Sequence, residues 1–308
     1  MARRTEPRAA AWLAALALVA PAASAQTAYV TNQNEGALSV LDLRARQETA
    51  RHPLSGQPAG VAVDGDAVFT VSPEDKAVRR WDRDGTVTAE AILDGGPIGV
   101  AAGGGRVFVS DFYAPRIWIL DPGDLAIIGT LATGAPPAGL ATGAGWLASA
   151  DRDGDAVSLF DLATLARRAV PVGARPFGLG FAPDGTLWVA NVGSDDLSVI
   201  DPAAGRAVAR IPVGTRPYGV AFAQGRAFVS NQYADTVSVI DLARRDAVAT
   251  LDVGEYPEGI DATADGRLVV VANWFSNTVT LIDPAVPEVT GEIAVGDGPR
   301  AFGRFIAE

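Results

Sequence analysis

The chain has 308 residues, a formal net charge of −11, 48% hydrophobic residues and no cysteine. The missing cysteines exclude disulfides, thiolate metal sites and thiol nucleophiles together, and 34 glycines with 20 prolines indicate a turn-rich β protein rather than disorder. The acidic balance disfavours nonspecific attachment to nucleic acid or anionic membrane, where counterion release rewards clustered Lys and Arg.

Residues 1–25 read as a cleaved signal peptide. Arg3, Arg4 and Arg8 form a basic start, 9–20 is apolar, and Ala23-Ser24-Ala25 fits an A-x-A cleavage site before Gln26. The apolar stretch falls short of the ~20 residues of a membrane span. The mature protein is therefore expected to be periplasmic or secreted, without a membrane span. The leader carries three Arg and one Glu, so residues 26–308 hold −11 − 2 = −13.

From Ala28 onward one pattern recurs seven times. A strand-ending aspartate stands at Asp42, Asp82, Asp121, Asp161, Asp201, Asp241 and Asp283. Ten residues before each lies Asn32, Ser72, Asp111, Asp151, Asn191, Asn231 or Asn273. A turn proline recurs at Pro58, Pro97, Pro137, Pro176, Pro217, Pro257 and Pro299, with glycine two residues later until Ala301 breaks the pattern. A period near 40 residues, with four short strands and turn residues at fixed offsets, is the mark of propeller blades. The fifth copy predicts strands over 176–182, 186–190, 196–201 and 206–213. The innermost strands are rich in Gly, Ala and Val because seven sheets crowd together at one axis.

The expected fold is all-β: a seven-bladed β-propeller with four antiparallel strands per blade, forming a single domain over 26–308. The first copy opens with a second strand and the last ends with an inner one at 299–306. Closure of the ring by the C-terminal strand joining the first blade removes the free edges.

The copies "AYVTNQNEGALSVLDL", "WVANVGSDDLSVIDP" and "FVSNQYADTVSVIDL" resemble the YVTN-type β-propeller repeat family, and Tyr29 to Asn32 is that motif itself. The resemblance covers about residues 28–306. It implies an exported propeller scaffold and is weak about chemistry, because one such scaffold hosts many roles. Some members of the family sit in periplasmic redox pathways, which here implies a partner role.

The repeated aspartates read as turn acceptors for backbone N–H groups. His52 is the only histidine and falls on the outer strand of the first blade, so no interior Ser-His-Asp or zinc constellation is expected. Asp151, Asp153 and Asp155 imitate part of a calcium loop, but the glycine is misplaced and the terminal glutamate absent. They are a weak metal candidate. No cofactor and no catalytic residue is expected.

Departures from the repeat locate a candidate site. The turn before the inner strand and the loop after the second strand share one face. There the residue between Pro and Gly is bland in blades two to four but is Phe177, Tyr218, Glu258 and Arg300 in blades five, six, seven and one. Arg175, Arg216 and Tyr256 precede the same prolines. Neighbouring loops add Phe112, Tyr113, Tyr233, Trp274 and Phe275, with Gln232 beside Tyr233. Rigid rings and charges converging on one sector of a channel mouth suit binding. Alanine at both Phe177 and Tyr218 is expected to weaken a ligand while leaving the melting temperature largely intact.

The leading expectation is an exported, non-enzymatic scaffold, monomeric, binding a protein partner or small molecule on that face. A carboxylate- or calcium-assisted hydrolase or lyase is one alternative. Single-stranded nucleic-acid binding on the aromatics and an accessory role in periplasmic redox metabolism are others, the acidic balance weighing against nucleic acid.

Overall fold

Alternating strands punctuated by Asp- and Gly-containing turns build seven four-stranded antiparallel sheets arranged as the blades of a propeller. The computed structural model describes residues 26–307, so the signal-peptide reading of 1–25 lies outside the described residues. In the fifth blade the strands are Pro176–Phe181, Leu187–Asn191, Asp196–Asp201 and Arg206–Pro212. Each bound lies within one residue of the span that the repeat predicts. Among the described residues the sole helical element is a single 3-10 turn, Arg152–Gly154.

Burial follows from stacking the sheets face to face. A second strand such as Leu187–Asn191 is buried along its whole length, because each of its faces meets another blade. Outer strands such as Gln47–Pro53 alternate between exposed and half-buried residues. Trp188 shows the interlock: it packs with Val220 and Val229 of the next blade, and Phe222 meets its ring edge-on at 6.0 Å.

The strand-ending aspartates close turns, as their spacing predicts. Asp42 Oδ1 accepts the N–H groups of Arg44 and Ala45 at 2.9 and 2.8 Å, Asp161 and Asp241 make the same pair of bonds in their blades, and Asp201 accepts the N–H of Ala204. The Asn column at the second strand's end is buried and ties the second strand to the third. Asn191 Nδ2 donates to Ser198 Oγ at 3.0 Å, Asn231 to Ser238 at 2.9 Å and Asn273 to Thr280 at 2.8 Å.

The turn glycines are set by crowding at the axis. A Cβ on Gly60 or Gly99 would stand 2.5 Å from the carbonyl oxygen of Ile98 or Ala138 in the following blade. The last copy solves the same problem differently. Ala301 replaces glycine, and Gly303, at φ +125°, makes the close approach against Val61 O.

The C-terminal segment completes the first blade. Ile306–Ala307 pairs antiparallel with Thr27–Asn32, and Tyr29 N–H donates to Phe305 O at 2.9 Å. The pairing is less regular than a simple inner strand. Phe302 and Arg304 present carbonyls to the N–H groups of Val61 and Val63 in the second blade, both at 3.0 Å. From the other side Asp261 of the seventh blade accepts the N–H groups of Phe305 and Ile306 at 2.9 and 3.1 Å. One short segment is thus bonded to three blades.

Candidate functional site

Two local devices aim side chains at one mouth of the ring. In blades three to seven a β-bulge separates the turn proline from the rest of the inner strand, as between Pro176 and Leu179 or Pro217 and Val220. Bulges re-aim side chains, and here the residue between Pro and Gly turns toward the mouth. The residue before the proline is left-handed in three of these blades, with φ of 51° at Arg175, 57° at Arg216 and 58° at Tyr256. Such a backbone costs a non-glycine residue about 1 kcal/mol. Asp155, Asp195 and Asp235 of the preceding blades hold it in place, each accepting one of these N–H groups at 2.8 Å.

These side chains enclose a cavity of about 630 Å³. Ten of the twelve residues singled out from the sequence line it: Phe112, Arg175, Phe177, Arg216, Tyr218, Tyr256, Glu258, Trp274, Phe275 and Arg300. Tyr113 and Tyr233 do not; they stand outside it, 76% and 57% exposed. Tyr233 has a supporting position, since the Arg216 guanidinium lies 4.5 Å over its ring and donates to its hydroxyl at 3.0 Å. Sequence reasoning missed Asn34, Arg152 and Val192 as lining residues. Gln232, noticeable only as a neighbour of Tyr233, also lines the cavity.

The floor is a buried polar network. Arg300 Nε stands 2.9 Å from Glu258 Oε2, its Nη2 donates to Tyr218 Oη at 2.6 Å, and its Nη1 donates to Gln33 Oε1 at 3.2 Å. Gln232 Nε2 donates to Glu258 Oε1 at 2.5 Å. The Nε–Oε2 contact is close enough for an ion pair but misaligned for a hydrogen bond, so charge rather than a shared proton holds it. Burial pushes the Glu258 carboxyl above the ordinary glutamate range, against the pull of Arg300. Burial also raises the Tyr218 phenol. Burial opposes the charge of Arg300 as well, but the Glu258 carboxylate overrides it and raises the guanidinium's pKa.

Below this network Phe177, Tyr218 and Phe302 form an aromatic cluster, with ring centroids 4.3, 5.1 and 5.9 Å apart. Phe302 also lines a second cavity, of about 530 Å³, on the other side of this cluster. Glu258 borders both cavities. This corrects the expectation for Phe177 and Tyr218. Both are buried core residues, so replacing them by alanine removes packing as well as a binding wall. Phe302 had a signal in the sequence, because the other six copies carry Val, Leu or Ile at its place.

The weak calcium candidate is dispersed. Asp151 is fully buried and accepts from Ser158 Oγ at 2.6 Å, Ser149 Oγ at 2.9 Å and Gly134 N–H at 2.8 Å. Asp153 pairs with Arg152 at 2.7 Å, and Asp155 is one of the blade-junction acceptors. Among the described residues no group of three or more His, Cys, Asp or Glu side chains is placed to hold a metal. His52 lies on the outer strand of the first blade, 6.1 Å from Trp81. Among the described residues no helix is long and apolar enough to cross a membrane.

Residues 209–296 match a family model described as a YNCE-like beta-propeller. That match and the seven blades fit the YVTN-type repeat family that the motifs resemble. No match was found among curated proteins. Among solved structures the chain is similar to the dihydro-heme d1 dehydrogenase NirN in complex with DHE, at 20% identity and a TM-score of 0.65. That likeness covers 87% of this chain, which spans 63% of the other protein's length. The chain is also similar to a functionally unknown protein from Desulfotomaculum acetoxidans, at 14% identity and a TM-score of 0.74, over 89% of this chain and 99% of that one. At these identities the likeness shows the fold.

Proposed function

We propose that this chain is an exported, non-enzymatic binding propeller that takes its ligand in the turn-face cavity. The carrying observation is the convergence of eleven aromatic and charged side chains from six of the blades on one cavity of about 630 Å³ over a buried polar floor. Its volume falls within the ~300–1,000 Å³ of small-molecule sites. Binding is favoured over catalysis because the sole carboxylate lining the cavity, Glu258, is tied up with Arg300 and Gln232. The dehydrogenase chemistry named for one structural neighbour is not carried over, since the only histidine, His52, stands on the outer strand of the first blade.

The test is thermal unfolding of residues 26–308 against a panel of periplasmic metabolites. A ligand at 100 times its Kd adds about 2.7 kcal/mol. The double variant Tyr256→Ala, Phe275→Ala removes two wall rings, and it should abolish that stabilisation. A stabilisation that survives in the variant refutes the cavity as the site. Exposed rings at Tyr113, Tyr233 and Phe275 on the same face favour a protein partner as the second reading. Pull-down with and without those three rings tests it.

A further inference from the structure

Resting on the binding reading of this cavity, we infer that its ligand is a planar aromatic carboxylate that also carries a hydrogen-bond donor. The charges point to the anion. Four guanidinium groups line the cavity. Two are neutralised, Arg152 by Asp153 at 2.7 Å and Arg300 by Glu258 at 2.9 Å. Arg175 and Arg216 have no carboxylate within ion-pair distance of their guanidinium groups among the described residues. Asp155 and Asp195 lie close, but each uses an oxygen on the main-chain N–H of these arginines. The Arg216 guanidinium is held by a neutral group, the Tyr233 ring and hydroxyl, and its Nε is buried without a partner. In a mature chain of −13, two cations are thus positioned at one mouth without a direct ion pair, with Asp153 and Glu258 acting on Arg175 and Arg216 only from a greater distance. A guanidinium's planar donor fork matches a carboxylate.

The floor adds the donor requirement. Gln232 is 2% exposed, and its amide orientation is fixed because Nε2 donates to the Glu258 carboxylate. Gln232 Oε1 is therefore an acceptor, buried and without a partner. The Gln232 side chain lines the cavity, which places a ligand N–H or O–H to complete this oxygen. The walls decide the shape. Tyr256 and Phe275 stand 4.8 Å apart, and Trp274 and Phe112 complete a ring-lined pocket that suits a flat molecule. A single strand of nucleic acid also offers rings and anions, but it needs a basic track for successive phosphates, and the net acidity opposes one.

The experiment is calorimetric titration of the mature protein with 6-hydroxy-2-naphthoate, 6-methoxy-2-naphthoate and the neutral 6-hydroxy-2-naphthalenemethanol. The hydroxynaphthoate should bind about tenfold or more tightly than the alcohol, and the methoxy compound should fall between them. Arg216→Gln should weaken the acid more than the alcohol and narrow the preference for the anion by about threefold or more, Arg175 supplying the remainder. Equal affinity for acid and alcohol overturns the ligand class and leaves the cavity a binding site. Failure of all three compounds to bind overturns the ligand class, whereas the binding reading itself stands or falls on the unfolding panel and the Tyr256→Ala, Phe275→Ala variant. A thymidine oligonucleotide that binds more tightly than the hydroxynaphthoate identifies nucleic acid instead and also overturns the proposal.

Discussion

Replacing Arg300 by methionine keeps much of the side-chain volume and removes the one cation that pairs with Glu258. Glu258 is then a carboxylate, 3% exposed, left with the neutral Gln232 and Tyr218 and the more distant charge of Arg216. Removing one member of a buried ion pair costs about 3–5 kcal/mol. At about 2.1 cal/mol/K per residue, an unfolding entropy near 0.6 kcal/mol/K for about 280 residues turns this into a fall in Tm of about 5–8 °C. The pH dependence identifies the cause. The folded-state pKa of Glu258 is already raised by burial, so the native state binds more protons than the unfolded state above the ordinary glutamate range. Stability therefore falls as pH rises through that window. Without Arg300, which lowers this pKa, the window widens upward and the fall becomes larger. Urea unfolding from pH 4.5 to pH 8 should show the variant converging on the wild type at low pH, and Glu258→Gln added to Arg300→Met should recover most of the loss at pH 8. A pH-independent loss, or a double variant no better than the single, would refute the buried-charge argument.

Deleting residues 299–308 removes the inner strand of the first blade and the backbone groups that bond to Asp261. The product should be insoluble or markedly destabilised; a soluble truncation with unchanged melting would sink the closure argument. Phe302→Ala empties the junction between the two cavities and should cost about 3–5 kcal/mol, measured by denaturant unfolding. A cost under about 1 kcal/mol would mean that the aromatic cluster relaxes around the gap. Protein expressed from the full sequence should begin at Gln26 by intact-mass analysis, and a mass that retains residues 1–25 would rule out a cleaved leader.

The blade count, the strand bounds and the face on which the cavity-lining residues meet were legible in the chain alone. Each rests on short-range chemistry: an Asp that caps its own turn within four residues, and a Pro-x-Gly that starts the next strand. Such signals repeat every 40 residues or so, and neighbouring blades read them the same way. They placed Phe177, Tyr218, Glu258 and Arg300 at equivalent turns, and the ring brings those turns together. Only the tertiary structure decided what each side chain does there. Arg300 meets Tyr218 across 82 residues of chain, and Gln232 meets Glu258 across 26. Phe302 closes on Phe177 from 302 − 177 = 125 residues further along the chain. Those contacts depend on the radius of the closed ring and on the bulges and left-handed residues that tilt each turn. No local pattern encodes which of seven equivalent positions turns inward to pack and which stays at the mouth. That choice follows from the limited space at the axis, which the seven inner strands share.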